Sequence, residues 1–247
     1  MEFSLLLLGI VGNIISVLVF ASPTKTFWGI VKKRSTEEFE PTAYIVTFLN
    51  SSLWVYYGLS KPDGLLVATV NGAGVILEAV YISLFLLYAS RPDLRVKTAT
   101  LVAVVDIGLL LLVIGITSFG LPEGMRLAVI GGICVCLNIL MYASPLAIIR
   151  TVIRTKSVEF MPFLLSFFLF LNGGVWLLYA IFDSDIFLGI SNGLGFIFGT
   201  IQLILYKIYM KSKTSKTSAA DIDGKWQHAP LLQSAQGDEE EANFSNS

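Results

Sequence analysis

Apolar residues run along this chain in seven long stretches separated by short polar clusters. The stretches cover approximately residues 4–21, 42–59, 66–89, 98–118, 127–149, 163–182 and 187–209. A helix needs about 20 apolar residues to cross the hydrocarbon core of a bilayer. The pattern therefore predicts an all-α membrane protein with seven transmembrane helices, whose obligatory partner is the lipid bilayer. The first stretch, MEFSLLLLGIVGNIISVLVF, lacks a basic leading region and continues without a cleavage site. It is taken as the first span and not as a signal peptide.

Composition agrees. Of 247 residues 55% are hydrophobic and only 14% charged, with a mean hydropathy of +0.75, whereas a soluble domain carries about 25% charged residues. Charge also sets the orientation. Of the 17 Lys and Arg residues, only Lys61 and Arg126 fall on one side of the alternating spans. The others follow the first span (Lys25, Lys32, Lys33, Arg34), the third (Arg91, Arg95, Lys97), the fifth (Arg150, Arg154, Lys156) and the seventh (Lys207, Lys211, Lys213, Lys216, Lys225). Positive loops stay in the cytosol, so the C-terminus is expected inside and the N-terminus on the other side.

The polar letters inside the spans are written twice. FLNSSLWVYYG (48–58) returns as FLNGGVWLLYA (170–180), and ASPTKTFWGIVKKRS (21–35) as ASPLAIIRTVIRTKS (143–157), both displaced by 122 residues. VNGAG (70–74) matches SNGLG (191–195) at 121. Spans one to three and five to seven are thus two copies of one unit. Each unit has an odd number of helices, yet both carry their basic cluster after their first span. One connecting helix restores the common direction, which gives a 3+1+3 layout of parallel repeats around a shared pathway. The expected organisation is a first triple-helix repeat at 1–90, the connecting helix with its flanking loops at 91–122, a second repeat at 123–211, and a disordered cytosolic tail at 212–247. The tail is Ser-, Thr-, Lys- and Glu-rich. It holds the single histidine, His228, the phrase APLLQ (229–233), which is an incomplete dileucine sorting signal, and KTSKTS (213–218), a phosphorylatable run.

Candidate chemistry comes from the duplicated polar residues. Asn71 and Asn192 occupy equivalent places in the third and seventh spans; an amide in hydrocarbon needs partners. They serve either as helix–helix contacts or, paired across the axis, as two amides gripping a ligand hydroxyl that both donates and accepts. Trp54 and Trp176 are either interface-belt residues or the apolar walls of a pocket, one turn after Asn50 and Asn172. Ser16 with Asn138, and Val19 with Met141, are further matched pairs. Tyr57, Tyr179 and Asp185 fall together near the non-cytosolic mouth.

Only Glu78 and Asp106 put carboxylates within spans, so a proton relay is the lesser alternative. The membrane part has no His and no paired carboxylates; Cys134 and Cys136 point in different directions on a helix. No catalytic residue, metal site or cofactor is expected, no P-loop is present, and no nucleic-acid partner is implied. A seven-helix receptor shares the topology but not the internal repeat.

GNIISVLVFASP, KKRSTEEF, NSSLWVYYG, the two NG-x-G sites, KSVEFMPF and FGTIQLILY together resemble the plant-type SWEET sugar transporters, over roughly residues 5–210. The resemblance implies bidirectional, ion-uncoupled sugar transport by alternating access, and association into homo- or hetero-oligomers with related transporters. It places Asn71 and Asn192 as the sugar-gripping pair and Trp54 and Trp176 above and below the sugar. Asn50, Asn138, Asn172, Ser16, Val19 and Met141 set the pocket's size. Members that carry disaccharides have serines where this chain has Asn50, Asn138 and Asn172, so a tighter pocket for a hexose, glucose or fructose before sucrose, is expected. By the same resemblance Pro23, Pro145 and Pro162 are hinges of the inner gate. Ala43 stands where the family has a fourth proline, with Pro41 two residues earlier. Tyr57, Tyr179 and Asp185 would close the outer gate through Tyr–Asp hydrogen bonds. The wording is closest to the family's vacuolar branch, with the plasma membrane as the alternative address. The remaining alternatives are a proton-coupled sugar transporter and a non-transporting sugar sensor.

Overall fold

The computed structural model describes residues 2–37, 39–159 and 161–210, which are helical with no strand among them. The residues from 211 onward, with His228, APLLQ, all of KTSKTS, Lys211, Lys213, Lys216 and Lys225, lie outside the described residues. The helices are α1 (Glu2–Phe20), α2 (Thr24–Lys33), α3 (Thr42–Ser60) and α4 (Leu65–Tyr88). They continue as α5 (Pro92–Leu101), a π-helical segment (Val102–Leu109) and α6 (Leu110–Phe119). The last are α7 (Glu123–Met141), α8 (Ala143–Thr155), α9 (Phe163–Phe182) and α10 (Ile186–Tyr209).

Two predicted loops are helices. The basic clusters after the first and fifth spans fold as α2 and α8. Each lays an apolar face inward, Phe27 and Ile30 in α2 and Ile148, Ile149 and Val152 in α8. Both helices stop at a left-handed residue, Arg34 at φ 52° and Lys156 at φ 51°. The repeat thus extends to backbone conformation at positions 122 apart, although neither residue is a glycine. Pro41, Pro23 and Pro162 immediately precede α3, α2 and α9, and Ala43 lies in the first turn of α3. Pro145 does not end a helix: the break falls at Tyr142, and Pro145 occupies the first turn of α8, where its missing N–H costs nothing.

Among the described residues six helices are long and apolar enough to cross a membrane by length and composition. The helix of the second span, α3, has the length but not the apolarity, because Asn50, Ser51, Ser52, Tyr56 and Tyr57 interrupt it. Tyr56 and Tyr57 reach other parts of the bundle and Asn50 lines a cavity, while Ser52 bonds back to the Phe48 carbonyl of α3 itself; Ser51, Trp54 and Tyr57 are buried.

The packing obeys a two-fold relation. α1 packs on α9 and α7 on α3; α3 pairs with α4 as α9 does with α10; α2 rests on α4 as α8 does on α10. Close approach of α9 to α10 needs glycine at two places. A Cβ on Gly173 would lie 2.7 Å from the Phe196 backbone nitrogen, and one on Gly199 the same distance from the Phe170 Cα. The connecting helix lies against α3, where the Tyr56 hydroxyl meets Thr117 and Ser118 at 2.9 and 3.0 Å.

The core is divided unevenly between the two ends. A large cluster (Leu49, Leu53, Trp54, Tyr57, Val67 with Ile130, Cys134, Trp176, Tyr179, Leu188) joins both units in the half that carries Lys61. At the basic end there are instead two separate clusters. Phe27, Ile30, Tyr81 and Phe85 belong to the first unit, and Ile148, Val152, Val158 and Met161 to the second. The units are welded at one end and packed independently at the other.

Candidate substrate-binding cavity

Between the units lies a cavity of about 130 Å³, walled by α1, α3 and α4 from one unit and α7, α9 and α10 from the other. All the predicted substrate-binding residues except Met141 line it: Ser16, Val19, Asn50, Trp54, Asn71, Asn138, Asn172, Trp176 and Asn192. Met141 is the last residue of α7 and stays outside, whereas Val19 is followed in α1 by Phe20, which also lines the wall. Phe20, Val67, Val70 and Leu188 are lining residues that the sequence reading missed. Val67 and Leu188 precede Asn71 and Asn192 by four residues, one helical turn, so the face they share with the amides is a signal that helical periodicity carries.

Asn71 Nδ2 donates to the Val67 carbonyl at 2.9 Å, and Asn192 Nδ2 to the Leu188 carbonyl at 3.0 Å. Each bond pins its amide to its own helix and leaves an oxygen and a second N–H uncommitted. The two amides are therefore not spent on joining helices to one another. Trp54 and Trp176 are each 3% exposed, which removes them from any interfacial belt. They pack edge-on against Tyr57 and Tyr179, with ring centroids 5.3 and 5.2 Å apart. The Trp176 indole N–H donates to Ser16 Oγ at 2.9 Å, and Ser16 Oγ donates to Asn172 Oδ1 at 2.5 Å.

Beyond the cavity, towards Lys61, the chain is latched. The Tyr57 hydroxyl reaches both carboxylate oxygens of Asp185, at 3.0 and 2.9 Å. Asp185 also accepts from the Leu188 N–H at 3.0 Å, capping α10. The Lys61 ammonium bonds to Asp183 and, at 2.7 Å, to Asp185. Burial alone would lower the Lys61 ammonium, but the hydrogen bonds and charges of the two carboxylates outweigh it and hold the group above its ordinary value. Tyr179 is buried like Tyr57, yet its hydroxyl meets no partner among the described residues. Lys61 and Asp183 were not among the predicted gate residues. Pro23, Pro145, Pro162 and Ala43 are absent from the cavity wall and from the latch, as are the buried carboxylates of Glu78 and Asp106. Among the described residues no cluster of His, Cys, Asp and Glu has the make-up of a metal site.

The fold and its cavity define a helical membrane protein built from two parallel repeats. A family model described as a sugar efflux transporter for intercellular exchange matches residues 6–93 and again 128–214. The chain is 53% identical over 207 residues to the bidirectional sugar transporter SWEET17 of Arabidopsis thaliana, covering 83% of this chain and 86% of that one. It is 53% identical over 205 residues to the bidirectional sugar transporter SWEET16 of Oryza sativa subsp. japonica, of whose length it spans 62%. The solved structure of a eukaryotic SWEET transporter matches with a TM-score of 0.82 at 39% identity, covering 85% of this chain and 98% of that one. This chain belongs to the SWEET family.

Proposed function

We propose that this protein carries sugars in both directions across a membrane, without ion coupling, by rocking its two repeats about the central cavity. The observation that carries the proposal is the cavity itself. It is walled mostly by equivalent positions of the two repeats and offers two amides, each with an oxygen and one N–H uncommitted, and two indoles. Amides that donate and accept suit a neutral polyol, and indole faces suit the apolar C–H side of a sugar ring. Among its lining residues there is no charged group, which favours an uncoupled carrier over a proton-driven one. The preferred substrate is a hexose, glucose or fructose before sucrose, because amides at Asn50, Asn138 and Asn172 narrow a space of about 130 Å³.

In this reading Tyr57, Asp185 and Lys61 form the gate at one end, and the proline-led starts of α2, α3, α8 and α9 are the hinges at the other. The structure then corresponds to a state closed at the Lys61 end. The basic end faces the cytosol, and the vacuolar membrane is favoured over the plasma membrane on the resemblance to that branch. The two segments matched by one family model support a division into repeats at 1–90 and 123–211 about the connecting 91–122.

Uptake of labelled glucose, fructose and sucrose into proteoliposomes without any ion gradient tests the proposal. Hexose flux that equilibrates, and exceeds sucrose flux, is the expected result. Flux that appears only under a proton gradient overturns the uncoupled mechanism and brings Glu78 and Asp106 forward. Absence of flux under both conditions points to a sensor. In the same assay Ala43→Pro is expected to change turnover severalfold, since it stiffens the start of α3, with the order of sugar preference unchanged. A changed order would remove position 43 from the hinge and put it in the selectivity path.

A further inference from the structure

Most wall positions of the cavity are related by the repeat, but their hydrogen bonding is not. In one half Trp176, Ser16 and Asn172 form a closed chain, with Ser16 Oγ accepting from the indole and donating to the amide oxygen. The repeat maps these three residues onto Trp54, Asn138 and Asn50, each at 122 residues' separation. The packing of α7 on α3 mirrors that of α1 on α9, so the second trio stands opposite the first, in the same wall. Yet among the described residues no side-chain hydrogen bond is made by Trp54, Asn138 or Asn50, and the Asn50 Oδ1 is buried without a partner.

An orphan amide oxygen out of reach of solvent is costly unless something completes it. What completes the opposite trio is a single hydroxyl. We propose that a hydroxyl of the bound sugar completes the Asn50–Trp54–Asn138 trio, in the role that Ser16 Oγ plays in the mirror trio. Once the Asn50 amide turns its oxygen into the cavity that the side chain lines, the sugar hydroxyl donates to Asn50 Oδ1 and accepts from the Trp54 indole N–H, with the Asn138 amide as its third neighbour. The inference rests on the sugar-transport reading and deepens it. A sugar has no two-fold axis, so a fully symmetric cavity would accept it equally in two opposed orientations. With one trio already closed, only one half receives the hydroxyl, and the sugar has a single orientation. Ser16 and Asn172 then act as positioning residues, holding the Trp176 indole in place without grasping substrate.

The test uses competition by a panel of monodeoxy hexoses against labelled hexose uptake, for the wild type, Asn50→Ala and Asn172→Ala. Loss of one neutral hydrogen bond is worth about tenfold in affinity. One deoxy position is expected to weaken competition by about tenfold in the wild type and by clearly less in Asn50→Ala, where the Trp54 indole alone still bonds that hydroxyl. The penalty is expected to persist in Asn172→Ala. A penalty undiminished in Asn50→Ala, or reduced equally in both variants, overturns the inference while leaving sugar transport intact. Wild-type protein without flux would sink the transport reading and this one with it. Should Asn50→Ala not fold, Asn138→Ser serves in its place. It supplies a protein hydroxyl to the trio, and is expected to raise the half-saturating hexose concentration by about tenfold and erase the deoxy penalty. Unchanged saturation in Asn138→Ser overturns the inference as well.

Discussion

Asn71→Ala and Asn192→Ala are each expected to cut hexose flux by a factor on the order of 10 to 100 at subsaturating sugar, with the protein still reaching its membrane. Each amide holds one N–H on the carbonyl of its own helix, Val67 or Leu188, and so presents an oxygen and one N–H to the cavity. Two hydrogen bonds to sugar hydroxyls, each worth about 0.5–1.5 kcal/mol net, account for a loss of that size. The cost to folding is small by comparison, because the bond lost on the protein side is local and its carbonyl remains in the helical ladder. Each variant should therefore appear at normal abundance in membrane fractions while its initial rate collapses. The double variant should be silent. Near-normal flux in both single variants would show that the amides are helix contacts of no consequence to substrate, and would move the site elsewhere in the cavity.

The features that could be read from sequence were those carried by the repeat. Residues separated by 121 or 122 positions fall on equivalent faces, so spacing alone pairs Asn71 with Asn192 and Trp54 with Trp176, and the two-fold packing of α1 on α9 and α7 on α3 follows the same arithmetic. Apolarity found the spans but misjudged what lies next to them. α2 and α8 are amphipathic, with Lys32, Lys33 and Arg154 in their last turns, and a rule that counts apolar runs assigns such segments to loops. The same rule undervalues α3, whose polar residues are the ones that face the cavity and the connecting helix. Met141 was paired correctly with Val19 by position, but α7 ends there and α1 does not end at Val19. A shared repeat position does not guarantee a shared wall. Nor could the repeat foresee that Ser16 is bonded and Asn138 is not, since that depends on ångström-scale reach between helices.

Lys61 and Asp183 were overlooked although their signal was present. They are equivalent residues of the two copies, 122 apart, and carry opposite charges. Equivalent positions close to a two-fold axis face each other, so a charge reversal between copies reads as an ion pair across that axis. Lys61→Met is accordingly expected to weaken closure at this end more than any other single change there. The side chains of Lys61, Asp183 and Asp185 are only 13%, 14% and 1% exposed. Removing the ammonium leaves two carboxylates facing each other with reduced access to water, and breaking a buried pair costs about 3–5 kcal/mol. Solvent access at this end moderates that figure towards its lower part. A shift of about 3 kcal/mol in a two-state equilibrium changes the ratio of closed to open by more than a hundredfold. Cysteine labelling from the Lys61 side, at a position on the cavity wall such as Val70, should be slow in the parent and fast in Lys61→Met, with exchange flux reduced because one state is depleted. The pH dependence follows from the raised Lys61 value. The contribution of the ammonium is fully present below its ordinary value of 10.5 and is lost only as pH rises through the higher value in the latch. Labelling of the parent should therefore remain slow from neutral pH up to about pH 10, and an opening that titrates near neutrality on the alkaline side would rule out Lys61 as the group that holds the latch.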